Sequence, residues 1–476
     1  MATKKVTIIA ATVVVLAAGY PATAWFLGKQ IERIHTEADT HFAAVPFFKL
    51  VQHDYDRSLF SANETITIEL STGLLNLLSQ EEEPAPQSPL RITVKNHIQH
   101  GPLIGFSVLA GRADSTIEFE GPLQQTVLAA FGGKPMVSAQ TFYGFQGGGR
   151  STVSIPAFSV TGAEGEQTTI SGDALEFTVN FTRSMAQYTF QGNMPRFEIA
   201  TPDKGGVKIL GMKMEGNQQR IFPDTPMMYS GTQQLSLAEL SIDPGTEADP
   251  NKIQKISIKE FNYDVQVPVS GDFIDIIAKA GSKTFLIGEQ DYGPVNYDIS
   301  LKHLPARKLT TLHQQMMTAV YAEGDVSQTP QHMAQVFASM KDQWIDFLLD
   351  APEFSLDRIS FKTPEGEEAK LSASIRLDDA KAEDFANPLM LLPKIDFAAD
   401  IALPVELFGA LAGRNEQIVH NLVQQGYASV DNGLFKSKVV FKAGNPLVND
   451  KPFNPMHVLM GARAAPQVQE EQEEAK

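Results

Sequence analysis

The residues able to do chemistry are scattered along this chain rather than gathered in a motif. His97 and His100 lie three apart, with His53 and His41 upstream. A zinc site needs three or four ligands converging on one point, and no His-Glu-x-x-His pair occurs. His97 falls on the polar face of an expected strand, and His100 stands before Gly101-Pro102, a turn signal. Both read as surface or turn histidines. Ser, His and Asp recur throughout, but without a Gly-x-Ser-x-Gly elbow. A triad would have to assemble from distant positions. Gly147-Gly148-Gly149-Arg150 has the richness of a phosphate loop but neither its Lys-Ser/Thr ending nor a following helix, so it reads as a hairpin loop. Asp378-Asp379 and the run from Glu365 to Glu368 lack the alternating oxygen ligands of a calcium loop and read as solvated turns. The sequence implies no catalytic set, no cofactor and no metal site.

The elements that would position such residues begin with an uncharged stretch. Val6 to Leu27 carries no charged residue and ends with Tyr20, Pro21 and Trp25. At 1.5 Å per residue a helix of this length matches a hydrocarbon core of about 30 Å. Lys4 and Lys5 precede it, which places residues 1–5 in the cytoplasm and the remaining chain outside. The competing reading is a cleaved signal peptide with a small-x-small site at Ala22-Thr23-Ala24. The apolar run continues through Leu27, and helical spacing carries on to Ile31 and Ile34, which favours a retained anchor.

Composition narrows the class. The chain has 476 residues, no cysteine, 43% hydrophobic residues and a net charge of −17. Without cysteine there are no disulfides and no thiolate chemistry. A cysteine-free exported chain suits the oxidising bacterial periplasm. The negative charge argues against nucleic acid as a partner.

Period-two alternation dominates the next segment. Phe60, Ala62, Ile66, Ile68 and Leu70 share one parity, and Leu90, Ile92, Val94 and Ile98 share another. Such patterns predict half-buried antiparallel strands. Short strands of the same kind are expected to about Val267. Helical spacing then marks Leu304 to Tyr321 and Gln331 to Leu349, the second with Met333, Val336, Phe337, Met340, Trp344, Phe347 and Leu348 on one stripe. Strands return at Phe354–Phe361, Ala369–Leu377 and Ile395–Leu403, and a hairpin closes the chain before a glutamate-rich end. The expected fold is α+β and β-rich: a single N-terminal transmembrane helix, then an extended, mostly antiparallel sheet with a few amphipathic helices packed on it. The expected layout is a transmembrane anchor over 6–27, a juxtamembrane helix over 28–46, a β-rich periplasmic region over 47–300, an α+β region over 301–461 and a disordered acidic tail over 462–476.

Several short motifs resemble the YdgA-like family of Gram-negative inner-membrane proteins. They are Ala24-Trp25-Phe26-Leu27-Gly28-Lys29-Gln30-Ile31-Glu32, Tyr55-Asp56-Arg57-Ser58-Leu59-Phe60-Ser61, His100-Gly101-Pro102, and the closing hairpin to Asn449. Ser58 stands where the family pattern has Gly, and Asn449-Asp450 where it has Asn-Gly. The resemblance implies an inner-membrane anchor with a periplasmic body, and no assigned reaction. The family-motif residues singled out as structural or binding positions are Trp25, Gly28, Lys29, Tyr55, Arg57, Leu59, Phe60, Ser61, His100, Gly101 and Pro102. Arg57 either caps a hairpin or pairs a carboxylate or lipid phosphate. The functional expectation is a binding or scaffold role in the cell envelope, with the inner membrane as partner and a lipid, another envelope protein or a second copy of the chain as further partners. A protein–protein module acting through the helices and an envelope hydrolase are the alternatives.

Overall fold

The computed structural model describes residues 20–36, 48–70, 90–121, 123–162, 167–225, 228–246, 254–321, 330–363, 366–411 and 416–453. The chain forms two compact units. Unit 1 comprises Met1–Ile274 with Ala306–Trp344, and unit 2 comprises Asp275–Pro305 with Ile345–Lys476.

Unit 1 opens with a helix, α1, over residues 20–36. Ala22, Ala24, Leu27, Lys29, Gln30, Glu32 and Arg33 are good helix formers. Ala24, Leu27, Gly28 and Ile31 are buried, and Ile34 and His35 are partly so. That spacing draws one stripe along α1. The stripe lies on a sheet in which β1 (Phe48–Arg57), β2 (Ser61–Leu70), β3 (Arg91–His100), β4 (Gly111–Phe119), β5 (Val137–Tyr143) and β6 (Gly149–Ile155) follow one another. Each is antiparallel to the next. After β7 (Phe158–Thr161) and β8 (Thr169–Gly172), β9 (Leu175–Phe181) pairs with β6, and β10 (Gln187–Thr201) pairs with both β9 and β8. The long strands β11 (Gly205–Arg220), β12 (Tyr229–Asp243) and β13 (Ile256–Val267) extend the sheet in order.

The core under α1 joins Leu27 and Ile31 to Ala62, Ile98, Ala110, Ala113 and Tyr143. Full burial of a Leu or Ile side chain contributes about 1.5–3 kcal/mol. The small residues on the sheet let α1 lie close. A Cβ on Gly111 would overlap the Ile31 side chain, and one on Gly28 would stand 2.5 Å from the His100 ring.

Several expectations are corrected here. Among the described residues no helix is long and apolar enough to cross a membrane. The transmembrane helix expected over 6–27 and the separate juxtamembrane helix over 28–46 are replaced, where the chain is described, by α1. Ala24, Leu27 and Ile31 recur on one face and are covered by protein, and polar Lys29, Glu32 and Arg33 interrupt the rest of the surface, whereas a lipid-facing helix is apolar all round. Residues 6–19 and 37–46 of those expectations lie outside the described residues. The α+β class with a membrane-spanning helix gives way to a mostly antiparallel β-sheet. The strands of the middle region are also longer than short alternation suggested: β10, β11 and β12 run 15, 16 and 15 residues. The expected helix over Gln331–Leu349 is two helices, Pro330–Ser339 and Lys341–Leu348. The acidic tail over 462–476 lies outside the described residues.

In unit 2, Val295–Pro305, Glu353–Lys362, Glu368–Leu377, Ile395–Pro404 and Leu434–Lys442 pair antiparallel in that order. Ala369, Leu403 and Leu434 form its core with Phe361 and Ile401. The helix Val405–Leu411 adds Phe408, stacked on Phe435 at 3.7 Å between ring centroids.

Candidate functional site

Antiparallel order sends the turns at 58–60, 101–110 and 144–148 to one end of the unit 1 sheet. The first half of α1 reaches that same end: Tyr20 Oη donates to the Leu103 carbonyl at 2.8 Å, and its ring packs on Phe60. The family-motif residues converge there. Trp25, Gly28 and Lys29 belong to α1; Tyr55 and Arg57 end β1; Leu59, Phe60 and Ser61 make the turn into β2; His100, Gly101 and Pro102 close β3.

Their contacts hold the helix. Arg57 Nε lies 3.0 Å from a Glu32 carboxylate oxygen. Its Nη1 donates to the Trp25 carbonyl at 3.3 Å, and the guanidinium covers the Trp25 indole at 5.5 Å. Of the two roles weighed for Arg57, the observed one is pairing to a carboxylate, on α1. The Lys29 ammonium also lies over the same indole, at 5.6 Å from its centroid. His100 is 2% exposed, not a surface or turn histidine. Its Nδ1 donates to the Ala24 carbonyl at 3.0 Å, while its Nε2 is buried without a hydrogen-bond partner. Burial pushes the His100 pKa down, against the opposing pull of the Ala24 and Ser61 backbone. Gly101 adopts φ +152 beside Tyr20 and Ala24. His97, by contrast, is on the outer face and bonds Asn63 at 2.9 Å.

A second cluster lies deeper under α1, and sequence reading passed over it. Glu64 is 2% exposed. One carboxylate oxygen accepts from His35 Nδ1 and Asn96 Nδ2, both at 2.6 Å, and the other accepts from His53 Nε2 at 2.9 Å. A carboxylate can only accept, so those ring nitrogens carry the protons. His35 Nε2 then faces the Tyr143 hydroxyl at 3.0 Å. Burial opposes ionisation of Glu64, but the hydrogen bonds from His35, Asn96 and His53 outweigh it and hold its pKa below the ordinary carboxylate value. Burial, reinforced by the Glu64 charge, pushes the Tyr143 and Tyr55 phenols above their usual range, so both stay protonated. The Tyr55 hydroxyl is buried without a hydrogen-bond partner. Such an orphan costs about 1–3 kcal/mol.

The cluster had a signal. Glu64 interrupts the apolar parity of β2 between Ala62 and Ile66, and Asn96 interrupts that of β3 between Val94 and Ile98. The register sets Tyr55, Glu64 and Asn96 side by side across three strands. His35 follows Ile31 by one helical turn. The arrangement orders protons along Tyr143, His35 and Glu64 and ties α1 to the sheet. The ring nitrogens point at carboxylate oxygens rather than at a shared centre. Among the described residues no group of three His, Cys, Asp or Glu side chains could hold a metal ion.

Two hollows accompany these contacts. One, of about 970 Å³, lies along the outer face of α1 and is lined by Trp25, Phe26, Lys29, Arg33, Phe145 and Arg183 among others. The other, of about 590 Å³, crosses β9 to β13. Its rows are registered across the strands: Glu176, Asn193, Lys213, Ser236 and Asn262 form one, and Thr178, Gln191, Glu215, Gln234 and Asp264 the next.

The model of a bacterial family of unknown function, DUF945, matches residues 3–456. No curated protein matches, and no solved structure matches.

Proposed function

We propose, for a chain that belongs to the DUF945 family of bacterial proteins of unknown function, a non-catalytic binding or scaffold role in the cell envelope. The observation that carries this reading is the use made of the motif residues. Arg57 and His100 bond to α1, Tyr55 packs beneath it and Gly28 makes room for the His100 ring, so these contacts hold a helix on a sheet. A catalytic set would instead turn a nucleophile and a base toward a common cleft. The YdgA-like motifs add the periplasmic side of the inner membrane as the place of action, with a lipid or a membrane protein as the thing handled. The alternative of a partner module on the helices at 330–348 is weaker, because Val336, Met340 and Phe347 of that stripe are buried. The hydrolase alternative has no such set of convergent groups to support it among the described residues.

Fractionation of cells expressing the full chain tests the reading. The protein is expected in the envelope fraction, with phospholipid or an envelope protein retained in native mass spectrometry after mild extraction. Recovery in the soluble cytoplasmic fraction, free of either, would overturn it.

A further inference from the structure

The turns around the start of α1 are unusual in what they expose. Phe106 is fully exposed at 107%, and Val108 is 76% exposed, both in the loop between β3 and β4. Leu103 of the same loop, Phe145 of the β5–β6 turn, and Leu59 and Phe60 of the β1–β2 turn are each more than 40% exposed. Helix α1 adds Trp25 and Phe26 at 48% and 62%. Isolated exposed apolar residues need no explanation, but a contiguous set does. The opposite end of the same sheet is different. Its turns carry charges of both signs, Glu120, Lys134, Asp173, Asp203 and Lys204, and its exposed apolar side chains, Leu128, Ile170 and Ile242, each stay below 40%.

The hollow beside α1 brings Lys29, Arg33 and Arg183 together, and its one acid, Glu32, is already paired with Arg57. This is a locally basic site on a chain of net charge −17. Aromatic side chains with a polar handle and cations beside an apolar fringe are the composition that settles at a bilayer's headgroup layer.

We propose that this end of unit 1 docks on an anionic phospholipid bilayer. Phe106 and Val108 enter the acyl boundary, Trp25 and Tyr20 lie at the headgroup level, and Lys29 and Arg183 meet lipid phosphates in the hollow. The inference rests on the envelope reading above but specifies which surface faces the lipid and which lipid charge it prefers.

The chain's two tryptophans allow a direct test. In full-length protein carrying Trp25→Phe and Trp344→Phe, a single reporter is placed by Phe106→Trp, and in a sister protein by Ile170→Trp at the opposite end. Both are bound to vesicles of phosphatidylglycerol in phosphatidylcholine containing brominated acyl chains. The expected result is loss of most fluorescence at position 106 and none at 170. Equal quenching at the two positions, or none at 106 while the protein floats with the vesicles, would overturn the docking surface and leave the envelope reading standing. A protein absent from the envelope fraction in cells would overturn the reading itself. Phe106 is fully exposed, so its replacement leaves the fold intact. A second arm uses Trp344→Phe alone, with Trp25 as reporter. Adding Lys29→Glu and Arg183→Glu is expected to reduce Trp25 quenching on vesicles with phosphatidylglycerol and to leave it unchanged on phosphatidylcholine alone. Unchanged quenching on both compositions would refute the anionic preference.

Discussion

The two ends of the unit 1 sheet, measured across the strands, solve the same problem differently. Strands β1 to β5 are covered by α1 and carry Ala62, Ile98, Ala113 and Tyr143 in a closed core. Strands β10 to β12 are the longest in the unit, yet the one fully buried side chain along them is polar: Gln218, whose amide donates to the Thr232 carbonyl at 3.1 Å. Phe190 and Met214 there, and Phe177 on the adjoining β9, are only partly covered. Backbone pairing is as regular in one region as in the other. What differs is the second layer. A strand ladder satisfies backbone groups wherever it forms, but the close-packed density of an interior needs an element laid across it. The contrast teaches that local stability in this unit should follow α1 rather than strand length.

The largest expected effect comes from removing the buried acceptor beneath α1. Glu64→Ala leaves His35, His53 and Asn96 aimed at a vacated position, and loss of one member of a buried charged network costs about 3–5 kcal/mol. Met214→Ala, in the bare region, removes a half-buried side chain and should cost about 1 kcal/mol. Hydrogen exchange of the β2 and β3 amides for the first variant, and of the β10 and β11 amides for the second, reads both locally. Comparable losses in the two regions would break the comparison.

That same pair shows what was legible in the sequence. Strand existence was, because period-two alternation is a local pattern: the parities at 60–70, 90–98 and 175–181 mark β2, β3 and β9. So was the closing hairpin at 434–448. The role of α1 was not. From residues 6–27 alone, an uncharged run reads as one lipid-facing helix, because nothing local says that Ala24, Leu27 and Ile31 have a sheet to lie on. The small residues that receive them, Gly111 and Ala113, are some eighty positions away. Glu64 and Asn96 were visible as breaks in apolar parities, but only the register puts them together with His53 and His35. The motif residues were found and misassigned in one case. His100 before Gly101-Pro102 looks like a turn histidine, and its burial depends on Gly28 making room for the ring.

Acid should loosen the covered region more than the bare one. The folded-state pKa of His100 is depressed, so the unfolded chain binds the proton more readily. The stabilisation is then fully present above the ordinary histidine value of about 6.5 and declines as pH falls through it toward the lower folded value. Glu64 is also depressed. Its contribution is complete above the ordinary carboxylate value of 4.5 and is lost as pH falls below that toward its folded pKa. Both act in the same direction, in two separate windows. Trp25 fluorescence in a Trp344→Phe background should report a first change below about pH 6.5 and a second below about pH 4.5. His100→Gln keeps a polar group against the Ala24 carbonyl but cannot titrate. It should erase the first change and spare the second; persistence of both would detach His100 from the effect.

The smallest effect separates burial from mere pairing within the covered strands themselves. Lys95 and Glu118 are diagonal neighbours on β3 and β4, Nζ to carboxylate oxygen at 2.7 Å, on the face away from α1. That distance is close to the 2.6 Å of the shortest contacts in the Glu64 cluster, so a count of short contacts would rank the two alike. The side chains are 53% and 33% exposed, however, and water competes for both charges. Double-mutant cycles of such exposed pairs give about 0.2–1 kcal/mol. Lys95→Ala with Glu118→Ala should therefore show a coupling below about 1 kcal/mol that salt diminishes, in the same covered part of the sheet where Glu64→Ala costs several times more. A coupling as large as the Glu64 loss, and insensitive to salt, would mean that distance rather than the covering helix sets the energy here.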